Sequence, residues 1–251
     1  MNCSLLRRAL LALLIGFLVT AIAALPVRAQ APATKPVPAK PAKEAPKPAK
    51  EAAKPPQDKE IADAVKRFET DSRDVFKKRT KIVDACRLKP GMDVADVGAG
   101  TGLFTRLFGP KVAPGGKIYA VDIAKKYVDY IQQTCRDQKI PNVVGVVCTA
   151  DSTSLAACSI DLVFICDTYH HFNHPEKNLA SIHEALKPCG RLIIVEFKKD
   201  KSVNPEWVLK HVRPDRDTLV KEVTQAGFKL LDEPDVMKTQ LVLRFEKSPG
   251  K

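Results

Sequence analysis

Six cysteines follow residue 80, yet no two of them stand as a Cys-x-x-Cys pair. That removes the paired-thiolate spacing of zinc ribbons and of thioredoxin-like redox sites. A large surplus of one charge is also missing from most of the chain, although the formal net charge is +12. Arg7, Arg8 and Arg28 carry three of those positives, and a Pro/Ala/Lys tract carries a net of four more. From residue 58 onward 32 basic residues face 27 acidic ones, a net of +5. This mild bias gives no reason to expect a nucleic-acid partner. A lipid-modified cysteine is not implied either, because Cys3 precedes the first apolar run instead of following it.

What is present divides the chain into residues 1–29, 30–57 and 58–251. Arg7-Arg8, the apolar run Ala9 to Leu25, and Val27-Arg28-Ala29 before Gln30 read as the three parts of an export signal. A run of about 17 apolar residues also sits at the low edge for a bilayer span. The expectation is therefore an exported, periplasmic domain, or one tethered to the inner membrane. A cytosol-facing anchor is the alternative, since basic residues flank both ends of the run. The tract repeats Pro-Ala-Lys at 38–40, 41–43 and 48–50. Proline fixes φ and removes donors, so residues 30–57 read as an extended linker, reaching up to ~80 Å at about 3.1 Å per residue. Residues 58–251 are long enough for one buried core. With Cys3 in the leader, Cys86, Cys135, Cys148, Cys158, Cys166 and Cys189 remain. Cys148 and Cys166 fall in apolar runs as buried thiols. Cys158 and Cys189 each precede an expected strand at one sheet edge, which leaves a disulfide between them as a hypothesis.

From residue 58 the pattern alternates. Asp58 to Arg87 has apolar residues at helical spacing, in two segments. Strands are expected over 92–97, 117–121, 142–148, 160–166, 191–197, 228–232 and 240–245, with helices after Gly102 and over 127–136, 174–186 and 214–226. Strands separated by helices imply a parallel sheet covered on both faces. The last two strands have no helix between them, so one antiparallel strand is expected near the C-terminus. The fold class is α/β, a Rossmann-like three-layer sandwich with a seven-stranded, mostly parallel sheet.

In such sheets ligands bind beyond the carboxyl ends of the strands. Asp96, Asp122, Asp151 and Asp167 stand at four successive strand ends. The strongest motif is Asp96-Val97-Gly98-Ala99-Gly100-Thr101-Gly102, where glycine permits a tight turn and close approach to backbone N–H groups. Asp122 lies twenty residues beyond Gly102, where a ribose-binding acid is expected. A dinucleotide would need Gly-x-Gly-x-x-Gly to hold its pyrophosphate. Here the spacing is Gly-x-Gly-x-Gly, and Asp96 would repel a phosphate while suiting an ammonium group.

Val94 to Gly102, with Ala120-Val121-Asp122-Ile123, Thr149-Ala150-Asp151-Ser152 and Ile160-Asp161-Leu162-Val163 following in order, resembles the motif series of class I S-adenosylmethionine (SAM)-dependent methyltransferases. The resemblance spans about residues 82–247. It implies SAM as cofactor, with Gly98, Ala99, Gly100, Thr101 and Gly102 lining the methionine portion and Asp96 near its amino group. It implies Asp122 on the ribose hydroxyls, Ile123 against the adenine, Asp151 with Ser152 at the adenine amino group, and Asp167 closing the far side.

Cys166-Asp167-Thr168-Tyr169-His170-His171-Phe172-Asn173-His174-Pro175 follows the fourth strand. Related methyltransferases of small-molecule or uncharacterised type carry Asp-x-Tyr-His-His-Phe here. His170 or His171 is a candidate general base, because a neutral imidazole suits that task near pH 7. Capping a helix, or packing against SAM, is the plainer role. A metal is not expected, since adjacent histidines point apart in regular structure and no thiol or carboxylate completes a site. Tyr169, His211 and Arg213 are candidate substrate residues, the last two beside Trp207 in the connection after the fifth strand. Core packing for Trp207 and a solvated helix start for Arg213 are the plainer readings. The implied reaction is methyl transfer to a small-molecule acceptor. The rivals are a non-catalytic SAM-fold binding protein outside the cytosol and an NAD(P)-dependent oxidoreductase.

Overall fold

The computed structural model describes residues 58–249. The apolar leader and the Pro/Ala/Lys tract lie outside the described residues, so the export and linker readings remain expectations. Among the described residues no helix is long and apolar enough to cross a membrane.

Three helices come first: α1 Lys59–Phe68, α2 Asp74–Lys77 and α3 Arg79–Ala85. Asp58 caps α1 by accepting the Glu60 N–H at 2.9 Å. Then β1 Val94–Val97, α4 Leu103–Val112, β2 Ile118–Asp122, α5 Lys125–Asp137, β3 Val143–Val147 and β4 Ile160–Cys166 alternate. A single 3-10 turn at Tyr169–His171 leads to α6 Pro175–Ala185, with Pro175 at the first turn, where its missing N–H costs nothing. The chain closes with β5 Leu186–Phe197, α7 Glu206–His211, α8 Arg216–Gln225, β6 Phe228–Asp232 and β7 Gln240–Lys247.

The seven strands lie in the order β3-β2-β1-β4-β5-β7-β6. All are parallel except β7, which is antiparallel to both β5 and β6. β1 has β2 on one side and β4 on the other, so the strand order reverses there. The crevice at that reversal is where a ligand sits in an open α/β sheet. All four residues of β1 are buried, because helices cover both faces.

The core lies on both faces of the sheet. On one, Val163, Ile165, Leu192 and Ile194 meet Leu179 and Ile182 of α6 and Leu219 and Val223 of α8. On the other, Phe164 packs between Phe104 and Phe108 of α4, with ring centroids 4.7 and 5.1 Å away. Cys158 is an exposed free thiol, so the suggested pairing with Cys189 is not made.

Phe108 is fully buried and meets the Phe164 ring edge-on at 88°. Phe108→Ala leaves a cavity beneath the Gly-rich turn and should cost about 3–5 kcal/mol, read as a shift of the urea midpoint. A loss under about 1 kcal/mol would mean that this face of the core is not packed as described.

Candidate functional site

β1 ends in the middle of the sheet, which carries Asp96 into the interior at 3 % exposure. Its Oδ2 accepts the Thr105 hydroxyl at 2.7 Å. Burial pushes this carboxyl up to about 6, against the Thr105 hydrogen bond and with a further push from Asp122. The backbone then turns through Gly98, Gly100 and Gly102, with φ of +71°, +53° and +76°. Gly98 is the most constrained, since a Cβ there would overlap the Thr168 side chain, and one at Gly102 would meet Ile131.

Asp122 braces this turn from β2. Its Oδ2 accepts the Gly100 N–H and its Oδ1 the Ala124 N–H, each at 2.9 Å. Each oxygen keeps lone-pair capacity for a ligand hydroxyl. Ile123, the next residue, is 60 % exposed, an apolar face available to a flat ring.

Asp167 follows β4 directly and is ion-paired with Arg73. Burial nevertheless raises its carboxyl to about 7, Arg73 opposing and Glu196 adding to the rise. Asp151 lies in the loop after β3, four residues beyond the strand end, and pairs with Lys177 at 2.9 Å. The Lys177 hydrogen bond holds this carboxyl below the usual range. Ser152 turns its hydroxyl to Ser181 at 3.2 Å. Among the described residues the buried side-chain polar atoms without a partner are Asp151 Oδ1 and Asp167 Oδ1. For the buried Asp167 an unpaired carboxylate oxygen is costly, and a ligand's donor would relieve it, whereas the Asp151 side chain is 42 % exposed.

A cleft of about 200 Å³ joins Asp96, Gly98 to Thr101, Asp167 and Thr168. That is less than a whole cofactor pocket, and it suits the amino-acid end of a ligand whose remainder runs over Asp122 and Ile123. Phe68, Arg73 and Val75 form its outer wall. These three escaped the sequence reading because they precede the first strand, in a segment readable only as amphipathic helix. Arg106 holds this wall to α4 by donating to Glu69 at 2.6 Å and to the Thr101 carbonyl at 2.6 Å.

His171 also lines the cleft. The adjacent histidines do not point apart, contrary to the sequence expectation, because a 3-10 turn replaces regular structure and brings their ring centroids to 4.0 Å. His211, at the end of α7, joins them with centroids 5.0 Å from His170 and 5.3 Å from His171. His170 Nδ1 lies 2.9 Å from both carboxylate oxygens of Glu196, whose side chain is 1 % exposed. Sequence reasoning missed Glu196, although a lone carboxylate in the apolar run Ile193 to Phe197 was the available signal. Burial lowers the His171 imidazole, as do His170 and His211, so it is neutral at pH 7.

Two candidate substrate residues lie elsewhere. Tyr169 is fully buried, and its hydroxyl donates to Glu222 at 2.6 Å. Arg213 donates to both oxygens of the same Glu222, at 2.6 and 2.9 Å, and stacks over the Tyr169 ring. Tyr169 is thus tied by a hydrogen bond and Arg213 by an ion pair to one carboxylate, away from the residues that line the cleft. Trp207 is 61 % exposed and not core, with its ring edge-on to Phe197.

Residues 95–194 match a family described as a methyltransferase domain. A Bordetella parapertussis protein named ubiquinone/menaquinone biosynthesis C-methyltransferase UbiE is 28 % identical over 130 residues, covering 51 % of this chain and 50 % of that protein. A Hydrogenovibrio crunogenus protein of the same name is 25 % identical over 175 residues, covering 58 % and 69 %. The chain thus spans about half the length of the first of these curated relatives. The crystal structure of a SAM-dependent methyltransferase from Aquifex aeolicus superposes with a TM-score of 0.65 at 23 % identity, covering 74 % of this chain and 98 % of that one. That likeness confirms the fold.

A carboxyl raised from 3.8 to about 6 holds its proton in the folded chain at pH values where the unfolded chain has lost it. Stability from Asp96 is therefore present at pH 4 and lost as pH rises through about 6, by about 3 kcal/mol. Asp96→Asn should remove this loss, so the variant gains on the parent between pH 4 and 8 in urea titrations of the ligand-free chain. A stability difference independent of pH would contradict the burial of this carboxyl.

Proposed function

We propose that this chain is a class I SAM-dependent methyltransferase, transferring a methyl group from SAM to a small-molecule acceptor that loses a proton at the histidine edge of the cleft. The observation that supports this reading is the cleft lined by Asp96, the glycine turn and Asp167, in which the buried Asp167 Oδ1 has no partner. Four carboxylates suit a ligand with an ammonium, ribose hydroxyls and an amino-substituted ring, and would repel a pyrophosphate.

In this assignment the ionised Asp96 and Asp167 face the ammonium group. Gly98 to Gly102 offer backbone N–H groups, Asp122 accepts the ribose hydroxyls, Ile123 covers one adenine face, and Asp151 with Ser152 meets the ring amino group. SAM supplies the activated methyl, so the protein's contribution is alignment, exclusion of water and handling of one proton. Phe68 and Val75 exclude water from the cleft. In this reading His171, which lines the cleft, or His170 behind it takes the acceptor's proton, with Glu196 fixing the His170 ring by its Nδ1. An acceptor with an acidic hydroxyl or carbon acid fits this edge, in keeping with the names of the quinone-methylating relatives. Export or a membrane tether through residues 1–29 belongs to the same proposal, because the domain's acceptor would then lie outside the cytosol or in the membrane.

Asp122→Ala should weaken SAM binding at least about 100-fold, since two charge-assisted hydrogen bonds at about 1.5–3 kcal/mol each are at stake and the Gly100 brace goes with them. His171→Ala should keep SAM affinity and lower methyl transfer to phenolic or quinol acceptors about 100-fold or more. Transfer is read with SAM labelled in its methyl group. Binding of SAM without label transfer to any hydroxyl or carbon acid would leave a binding protein in place of an enzyme.

A further inference from the structure

Three of the chain's five histidines converge where two separate elements meet, His170 and His171 on the 3-10 turn after β4 and His211 at the end of α7. Their ligand nitrogens all lie within 4.8 Å of one another. A tetrahedral zinc ion with bonds of about 2.1 Å needs nitrogens about 3.4 Å apart, a contraction within reach of side-chain rotation at the two exposed members. His170 is buried, whereas His171 and His211 are open to solvent.

The anchoring of His170 is the second observation. Its Nδ1 is held at 2.9 Å by both oxygens of Glu196, so Nε2 is the nitrogen left to bind. Glu196 is itself pinned, for its oxygens accept the backbone N–H groups of His170 at 3.1 Å and Phe197 at 2.8 Å. A ring nitrogen backed by a buried carboxylate has its tautomer and direction fixed, and the carboxylate raises the basicity of the opposite nitrogen. That is the arrangement behind metal-binding histidines. A merely packed histidine trio would not need a buried acid aimed at one ring.

We propose that His170, His171 and His211 form a three-imidazole site for a divalent first-row transition ion of the zinc class, on the acceptor side of the cofactor cleft. Imidazole ligands suit such ions and are poor partners for magnesium or calcium. Three protein ligands leave a coordination position open, as in catalytic zinc sites. His171 lines both this cluster and the cleft, so the open position adjoins the place where the acceptor must stand. This deepens the methyltransferase reading and rests on it for the ion's role. A hydroxyl bound there gives up its proton to solvent at neutral pH, and the imidazoles then act as ligands in place of bases.

The test uses the full chain stripped with a chelator and titrated with cobalt(II), then with zinc. One equivalent of cobalt should bind, with the visible absorption of a four- or five-coordinate ion and no thiolate charge-transfer band, and zinc should displace it. Glu196→Gln should weaken zinc binding about 10–100-fold. His171→Ala with His211→Ala, both at exposed positions, should abolish the cobalt spectrum while circular dichroism stays as in the parent. No binding of either ion, or a spectrum that survives loss of both histidines, overturns the site. SAM binding measured in the same samples keeps that failure distinct from a failure of the methyltransferase reading.

Discussion

The burial of Asp96 at the end of the central strand sets most of what surrounds it. A carboxyl forced into the interior needs compensation, which it receives from Thr105, on the helix that follows the turn, through hydroxyl and backbone. That does not match hydration by water, so the carboxyl stays well above its ordinary range. Asp167 repeats the pattern one strand away, with Arg73 as partial compensation and one oxygen left over. The site is thus an array of acids stabilised incompletely by the protein alone. In the proposed function a cationic ligand would supply the remainder, which would couple binding to local stability.

Arg73 shows how the N-terminal helices take part. It reaches from the segment before α2 to Asp167 and lies over the Phe68 ring at 5.3 Å. Phe68 and Val75 then present apolar surface to the cleft. The same segment is fastened at its other side through Glu69 and Arg106. An ammonium entering the cleft would meet Arg73 as a competitor for Asp167, so this wall must yield or share when a cofactor binds.

Much of the fold was legible because its signals are local. The alternation of β-rich and amphipathic segments set the parallel sheet, and the missing helix between the last two strands announced the antiparallel β7. Ile160–Cys166 and Phe228–Asp232 fall where the apolar runs placed them. β5 begins five residues before the expected Arg191, since Leu186 pairs with Ile160 ahead of a register irregularity that ends at Arg191, which no periodicity reveals. The acids at strand ends were legible for the same reason, as each follows an apolar run. Long-range pairings were not. Nothing local in Glu196, Arg73 or His211 says that the first orients His170, the second pairs with Asp167, or the third stands 5.0 Å from His170. Tyr169 was misread because its motif neighbours face the cleft, whereas its own ring turns inward to Glu222.

The proposed function depends on the acid-lined crevice preferring an ammonium-bearing nucleoside to a pyrophosphate. Calorimetric titration of the chain at pH 8, where Asp96 and Asp167 are ionised, tests that directly with SAM and NADH side by side. One equivalent of SAM should bind, more weakly as pH falls through about 7 and then 6, while NADH gives no saturable heat. Saturable binding of NADH in the absence of SAM binding would contradict the assignment.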